Sequence, residues 1–162
     1  MLTKKLKDIF EQFKHKGEFN SYEELVSGHI NDTYLIKTKE KPYFVLQRIN
    51  HDVFKNVPGL ITNKVRVSLH IRKKLAHLSE RELKRRVLSF LNTNDDNFYH
   101  KDSDGNYWNM MIYIDNSITF DTVNNEEVAY EGGKLFGDFL NLTSDFDVSK
   151  LVEVIPKFHD MS

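Results

Sequence analysis

The chain has 162 residues, 23 of them basic and 24 acidic, and it contains no cysteine. Near-zero net charge supplies no global field toward nucleic acid or an anionic membrane. The missing thiols exclude disulfides, thiolate catalysis and cysteine-held zinc or iron–sulfur centres.

An apolar share of 40% suits one soluble domain, or one lobe of a larger enzyme, with a sizeable core. Met1 to Phe13 lacks the apolar centre of a secretory leader and no run approaches a membrane span, so a cytoplasmic location is expected. Leu2, Leu6, Ile9, Phe10 and Phe13 share one face of a helical period, which predicts an amphipathic helix from Thr3 to about Lys16, ended by Gly17. A short strand, Tyr22 to Val26, leads to Gly28. Two β-prone runs follow, Thr33 to Thr38 and Tyr43 to Arg48, around a polar turn holding Pro42, and they read as a hairpin. Gly28 at the mouth of that hairpin either turns the chain or lets backbone N–H groups approach a phosphate.

Asn50 to Gly59 connects to a helix expected from about Leu60 to His77, with Pro58 just ahead of it. Nine basic residues lie between Lys64 and Arg86 against two acids, Glu80 and Glu82. Balanced overall charge and the lack of interleaved aromatics favour a solvated helix face over a nucleic-acid surface. Arg86 to Leu91 and Asn106 to Ile114 are the next β-prone runs. The acids from Asp102 onward fail as a calcium loop, because Tyr107 and Tyr113 occupy the positions where glycine and glutamate are required. Asp104-Gly105-Asn106 instead reads as a tight hairpin turn.

Asp115-Asn116-Ser117 forms a polar linker, and Glu126 and Glu127 open a late helix. Val128, Gly132, Leu135, Phe136 and Phe139 make its expected buried stripe, and Gly132-Gly133 suggests close backbone packing. A polar break at Thr143 to Asp147 precedes a last short segment, Val148 to Ile155. His70 and His77 could share a helix face, but no third ligand accompanies them, so no metal site is expected. No nucleophile-elbow pattern supports a hydrolase.

The element order is helix, three strands, helix, two strands, linker, helix. The expected class is α+β: a five-stranded antiparallel sheet with one inserted helix, followed by one or two further helices. That is the plan of a protein-kinase-like N-terminal lobe over residues 1–114, with residues 115–162 as hinge and the incomplete beginning of a helical C-terminal lobe.

Several short motifs sharpen this. Gly28-His29-Ile30-Asn31-Asp32-Thr33-Tyr34 is followed by Leu46-Gln47-Arg48-Ile49-Asn50 and Val53-Phe54-Lys55-Asn56. Asp104-Gly105-Asn106-Tyr107-Trp108, Glu131-Gly132 with Phe136-Gly137, Ile155-Pro156 and Phe158-His159-Asp160 come later in the same order. Together they resemble the aminoglycoside phosphotransferase and choline kinase superfamily, in its N-acetylhexosamine 1-kinase branch. The resemblance implies transfer of the γ-phosphoryl of ATP, with Mg2+, to the anomeric hydroxyl of an N-acetylated hexosamine. It assigns Gly28, His29, Asn31 and Asp32 to the loop above the phosphates and Gln47 or Arg48 to the phosphate-binding position. Tyr113 and Ile114 become the hinge that meets adenine. Gln47 is uncharged and the helix from Leu60 to Leu78 has no carboxylate, so the usual lysine–glutamate pair is not expected. Strand alternation sends Gln47 and Arg48 to opposite faces. The family's catalytic His-x-Asp loop and metal-binding acid are expected beyond Ser162, leaving this chain inactive alone. On the kinase-lobe reading the stripe Leu135, Phe136 and Phe139 lacks the helices it would pack against and is expected to drive self-association or local disorder. The competing expectation is a non-catalytic interaction module whose open face is covered by a partner or a second copy. A basic-helix nucleic-acid binder is the third.

Overall fold

Alternating apolar residues between turn-forming ones make strands wherever both faces of a ribbon can be covered. In the computed structural model, which describes residues 1–25, 28, 30–118, 120, 122–123, 125–156 and 158, this rule builds one open sheet. Its strands are β1 (Phe19–Glu24), β2 (Asp32–Thr38), β3 (Phe44–Ile49), β4 (His100–Lys101) and β5 (Tyr107–Ile112). They run antiparallel in the order β1-β2-β3-β5-β4. The α+β class with a five-stranded antiparallel sheet is therefore as expected. β1 covers Phe19–Glu24 rather than Tyr22 to Val26, and Val26 lies outside the described residues.

Register sorts the side chains. Tyr34 pairs with Leu46 and Leu46 with Met110, so even-numbered positions of β2, β3 and β5 share one face. Against it lies helix α1 (Leu2–Phe10), and Leu6, Phe10, Ile36, Phe44, Leu46, Trp108 and Met110 form the first core. Odd-numbered positions face helix α2 (Val57–Lys74), where Ile49 meets Val57, Ile61 and Val65 in a second core. Each fully buried aliphatic side chain contributes about 1.5–3 kcal/mol.

Five expectations need correction. Helix α1 stops at Phe10, not near Lys16, because Phe13 forms an isolated bridge with Thr93 and is buried there. The flanking backbone follows it, Lys14 N donating to Asn92 O and Asn94 N to Gln12 O. Helix α2 begins at Val57, since Asn56 Oδ1 accepts from Gly59 N at 2.9 Å, and Pro58 lies inside its first turn. A further helix, α3 (Glu80–Arg86), stands where a continuous basic stretch was read. Ser79 and Glu82 cap it reciprocally. The run Arg86 to Leu91 is not a strand; it touches β5 through one bridge, Phe90 to Met111, and the hairpin partner of β5 is His100–Lys101. Gly105, at φ +85°, turns that hairpin in the left-handed region, as its position in the turn led one to expect.

The fifth correction concerns helix α4 (Glu126–Thr143), which buries none of its residues. Leu135 and Phe136 are 71% and 65% exposed. Among the described residues, a Cβ at Gly132 or Gly133 would meet nothing within 4 Å, so the expected close backbone packing is not found there. Between α4 and α2 lies an open cleft of about 610 Å³ lined by Ile71, Leu75, Leu135, Phe136 and Phe139.

Beyond α4 the chain makes a 3₁₀ turn, Val148–Lys150, and returns along α2. Asn63 Nδ2 donates to Val152 O at 2.7 Å and its Oδ1 accepts from Val152 N at 3.0 Å. Arg66 donates to Lys150 O, and Lys74 pairs with Asp145 at 2.7 Å. Much of the basic face of α2 is thus spent holding the chain's own tail. Among the described residues no helix is long and apolar enough to cross a membrane.

Candidate functional site

The two motifs that bracket the β2–β3 hairpin meet at its open end. Asn31 Oδ1 accepts from Asn50 N at 2.9 Å, and Asp32 pairs with Arg48 directly across the strands. Asn31, Asp32 and Arg48 are therefore brought together, each tied to the opposite strand. Gly28 is exposed; among the described residues a Cβ there would find Asn31 O at 3.9 Å and nothing nearer. His29 lies outside the described residues.

Gln47 belongs to the other face, as strand alternation required. It stands in a cross-strand row with Thr33 on β2 and Asn109 on β5. Its Nε2 donates to Thr33 Oγ1 at 3.2 Å, leaving Oε1 to accept from Lys64 Nζ of α2 at 3.1 Å. Helix α2 carries no carboxylate to face this row. In its place a helix-borne cation meets a strand-borne amide.

Lys64 is the residue that sequence reasoning missed. Counted among a solvated basic face, it in fact falls seven residues after Val57 and three after Ile61, on the buried stripe of α2. That spacing was the available signal. Its ammonium sits 5.5 Å from the Phe90 ring centroid, and burial pulls its pKa down to about 8. No ion pair to Lys64 occurs among the described residues, and no neighbouring charge contributes to that shift. A desolvated cation faced only by a neutral amide and an aromatic ring is costly to keep charged.

Beside Gln47, Asn109 is fully buried, and among the described residues neither its Oδ1 nor its Nδ2 has a hydrogen-bond partner. Leaving one such group unpaired costs about 1–3 kcal/mol. From the row, Lys64 reaches a cleft of about 520 Å³ whose walls, among the described residues, include Arg86, Val87, Phe90, Phe139 and Leu151 and no carboxylate. Such walls suit a ligand with an apolar body and an anionic end.

The expected hinge follows β5. Tyr113 N donates to Tyr43 O at 2.9 Å and Ile114 O accepts from Ser117 Oγ at 3.0 Å, so one backbone group of each residue is already engaged. Both lie far along the sheet from the Gly28 end of the hairpin, since Tyr43 precedes β3 and Arg48 comes near its close.

Asp102, rejected as a calcium ligand, has a structural task. It accepts from Trp108 Nε1 at 2.9 Å and Asn106 N at 2.8 Å, and pairs with Lys5 at 3.1 Å, locking the β4–β5 turn to α1. Burial alone would raise its pKa, but those hydrogen bonds outweigh it and hold the carboxyl well below the ordinary carboxylate range. Among the described residues no group of three or more metal-binding side chains is assembled. No family model matches the chain.

Proposed function

We propose that this chain is the nucleotide-binding lobe of a small-molecule phosphotransferase of the N-acetylhexosamine 1-kinase type, acting in the cytoplasm. The reaction of the whole enzyme would carry the γ-phosphoryl of ATP to an anomeric hydroxyl. The observation that carries this reading is the polar row Gln47–Asn109 facing Lys64 on α2. In kinase-like folds the corresponding strand and helix bring together the groups that hold the phosphates. The strand order and the helix inserted after the third strand support the same plan. The described residues assemble no cluster of three metal-binding side chains, and the role proposed for this chain alone is binding.

A second reading, a kinase-like interaction module without chemistry, draws support from the uncovered apolar face of α4.

Thermal unfolding of the purified chain in a titration with Mg-ATP separates the two. The binding lobe gains about 2.7 kcal/mol when nucleotide reaches a hundredfold excess over Kd, a rise of several degrees in melting temperature. Asn31→Ala, which frees the hairpin end, weakens that rise. An unchanged melting temperature up to millimolar Mg-ATP overturns the nucleotide reading.

A further inference from the structure

We propose that Lys64, presented by α2, is the phosphate-binding cation of this site. The inference rests on the nucleotide reading and names the residue that would perform it. Three observations converge on it. Lys64 Nζ meets no carboxylate among the described residues and is anchored instead by a neutral amide, Gln47 Oε1, at 3.1 Å. One lone-pair acceptor leaves further N–H donors of the ammonium available to a ligand. In the same row as Gln47, Asn109 is fully buried, and among the described residues neither its carbonyl oxygen nor its amide has a hydrogen-bond partner.

The rival cation, Arg48, stands on the opposite face and is already neutralised by Asp32. The cation has therefore moved from strand to helix: the strand position carries an amide, and the helix position that holds a carboxylate in protein kinases carries the charge. A phosphate oxygen fits this arrangement better than a carboxylate-bearing protein partner. The cation is partly buried at the sheet end of a cleft, and a flat protein surface could not reach it without entering.

The test is equilibrium binding by calorimetry of Mg-ATP, tripolyphosphate and adenosine to the full chain and to Lys64→Met, Lys64→Gln and Arg48→Met. Lys73→Met, an exposed site on the same helix, controls for loss of one positive charge. Circular dichroism and melting temperature verify that each variant folds. The expected result is a roughly ten- to hundredfold loss of Mg-ATP and tripolyphosphate affinity in both Lys64 variants, the range of a lost charge-assisted hydrogen bond. Adenosine affinity and Lys73→Met stay near wild type. Equal Mg-ATP binding by wild type and both Lys64 variants, or a loss confined to Arg48→Met, overturns the assignment while leaving the nucleotide reading intact. Lys64-dependent binding of tripolyphosphate without any preference for ATP supports the anion site and removes the nucleotide reading. A wild-type chain that binds neither anion overturns both.

Discussion

Replacing Lys64 by methionine should make the free protein more stable at neutral pH. The magnitude follows from the burial of the ammonium, which lowers its pKa from 10.5 to about 8. At 1.36 kcal/mol per pH unit, keeping it charged in the folded state costs on the order of 3 kcal/mol. Methionine fills a similar volume without the charge and forfeits only the bond to Gln47, about 1 kcal/mol. A net gain of about 1–2 kcal/mol is expected at pH 7. The pH dependence has a definite sign. Below pH 8 both folded and unfolded wild type carry the proton and the penalty is complete. Between about 8 and 10.5 the unfolded chain binds more protons than the folded one, so wild-type stability climbs with pH. Methionine has no such climb, and the advantage of the variant should shrink to nothing by the upper end of that window. Urea denaturation of both proteins at pH 7, 8, 9 and 10 reads this directly, because other titrating groups cancel in the difference. The groups facing Lys64 from the packed elements are Gln47 and the Phe90 ring, with Arg86 further along the cleft, and none of them titrates in that range. A variant less stable than wild type by more than 1 kcal/mol at pH 7, with a difference that does not change with pH, would refute the reasoning.

Two other outcomes are expected. Asp102→Asn should cost about 2–3 kcal/mol, the loss of charge-assisted bonds from Lys5, Asn106 and Trp108. Because the folded pKa of Asp102 is depressed, its contribution is present above the unfolded value of 3.8 and lost as pH falls below it toward the folded value, so the variant should show a flatter acid limb in urea titrations carried from neutral pH down to about 2. Equal acid sensitivity in both proteins would remove Asp102 from that account. Leu135→Glu combined with Phe136→Glu should abolish concentration-dependent self-association seen by sedimentation velocity; a wild-type chain that stays monomeric at several hundred micromolar would show that the face needs no cover.

The sheet was legible because its information is local. Period-two runs at 32–38 and 44–49, broken by Gly28, Pro42 and Gly105, leave little freedom in pairing. Helix α3 escaped because its basic residues drew attention away from Ser79 and Glu82, which carried a complete capping signal. The run Arg86 to Leu91 has strand propensity but only Phe90 finds a bridge, since two residues of β4 already occupy part of that edge of β5. For α4, periodicity revealed an apolar face and said nothing of what would cover it. The candidate site was half legible: Gln47 and its face were readable from alternation, whereas Lys64 was hidden by counting charges instead of placing them on the helix. Asn109 carried no sequence signal, because a polar residue in a strand is ordinarily an exposed one.

Asn63 and Lys64 are neighbours that grip different parts of the chain. Asn63 holds both backbone groups of Val152, while Lys64 reaches across to the sheet. Because α2 is a stiff rod, the segment after α4 cannot be drawn away without either breaking two well-formed hydrogen bonds or turning the rod about its axis. Turning it by even 20° would swing Lys64 Nζ by roughly 2–3 Å, given the reach of a lysine from the helix axis, and so out of bonding distance of Gln47. The tail thereby sets the angle at which the cation enters the cleft, and the segment after α4 acquires mechanical purchase on Lys64 from the far side of the helix.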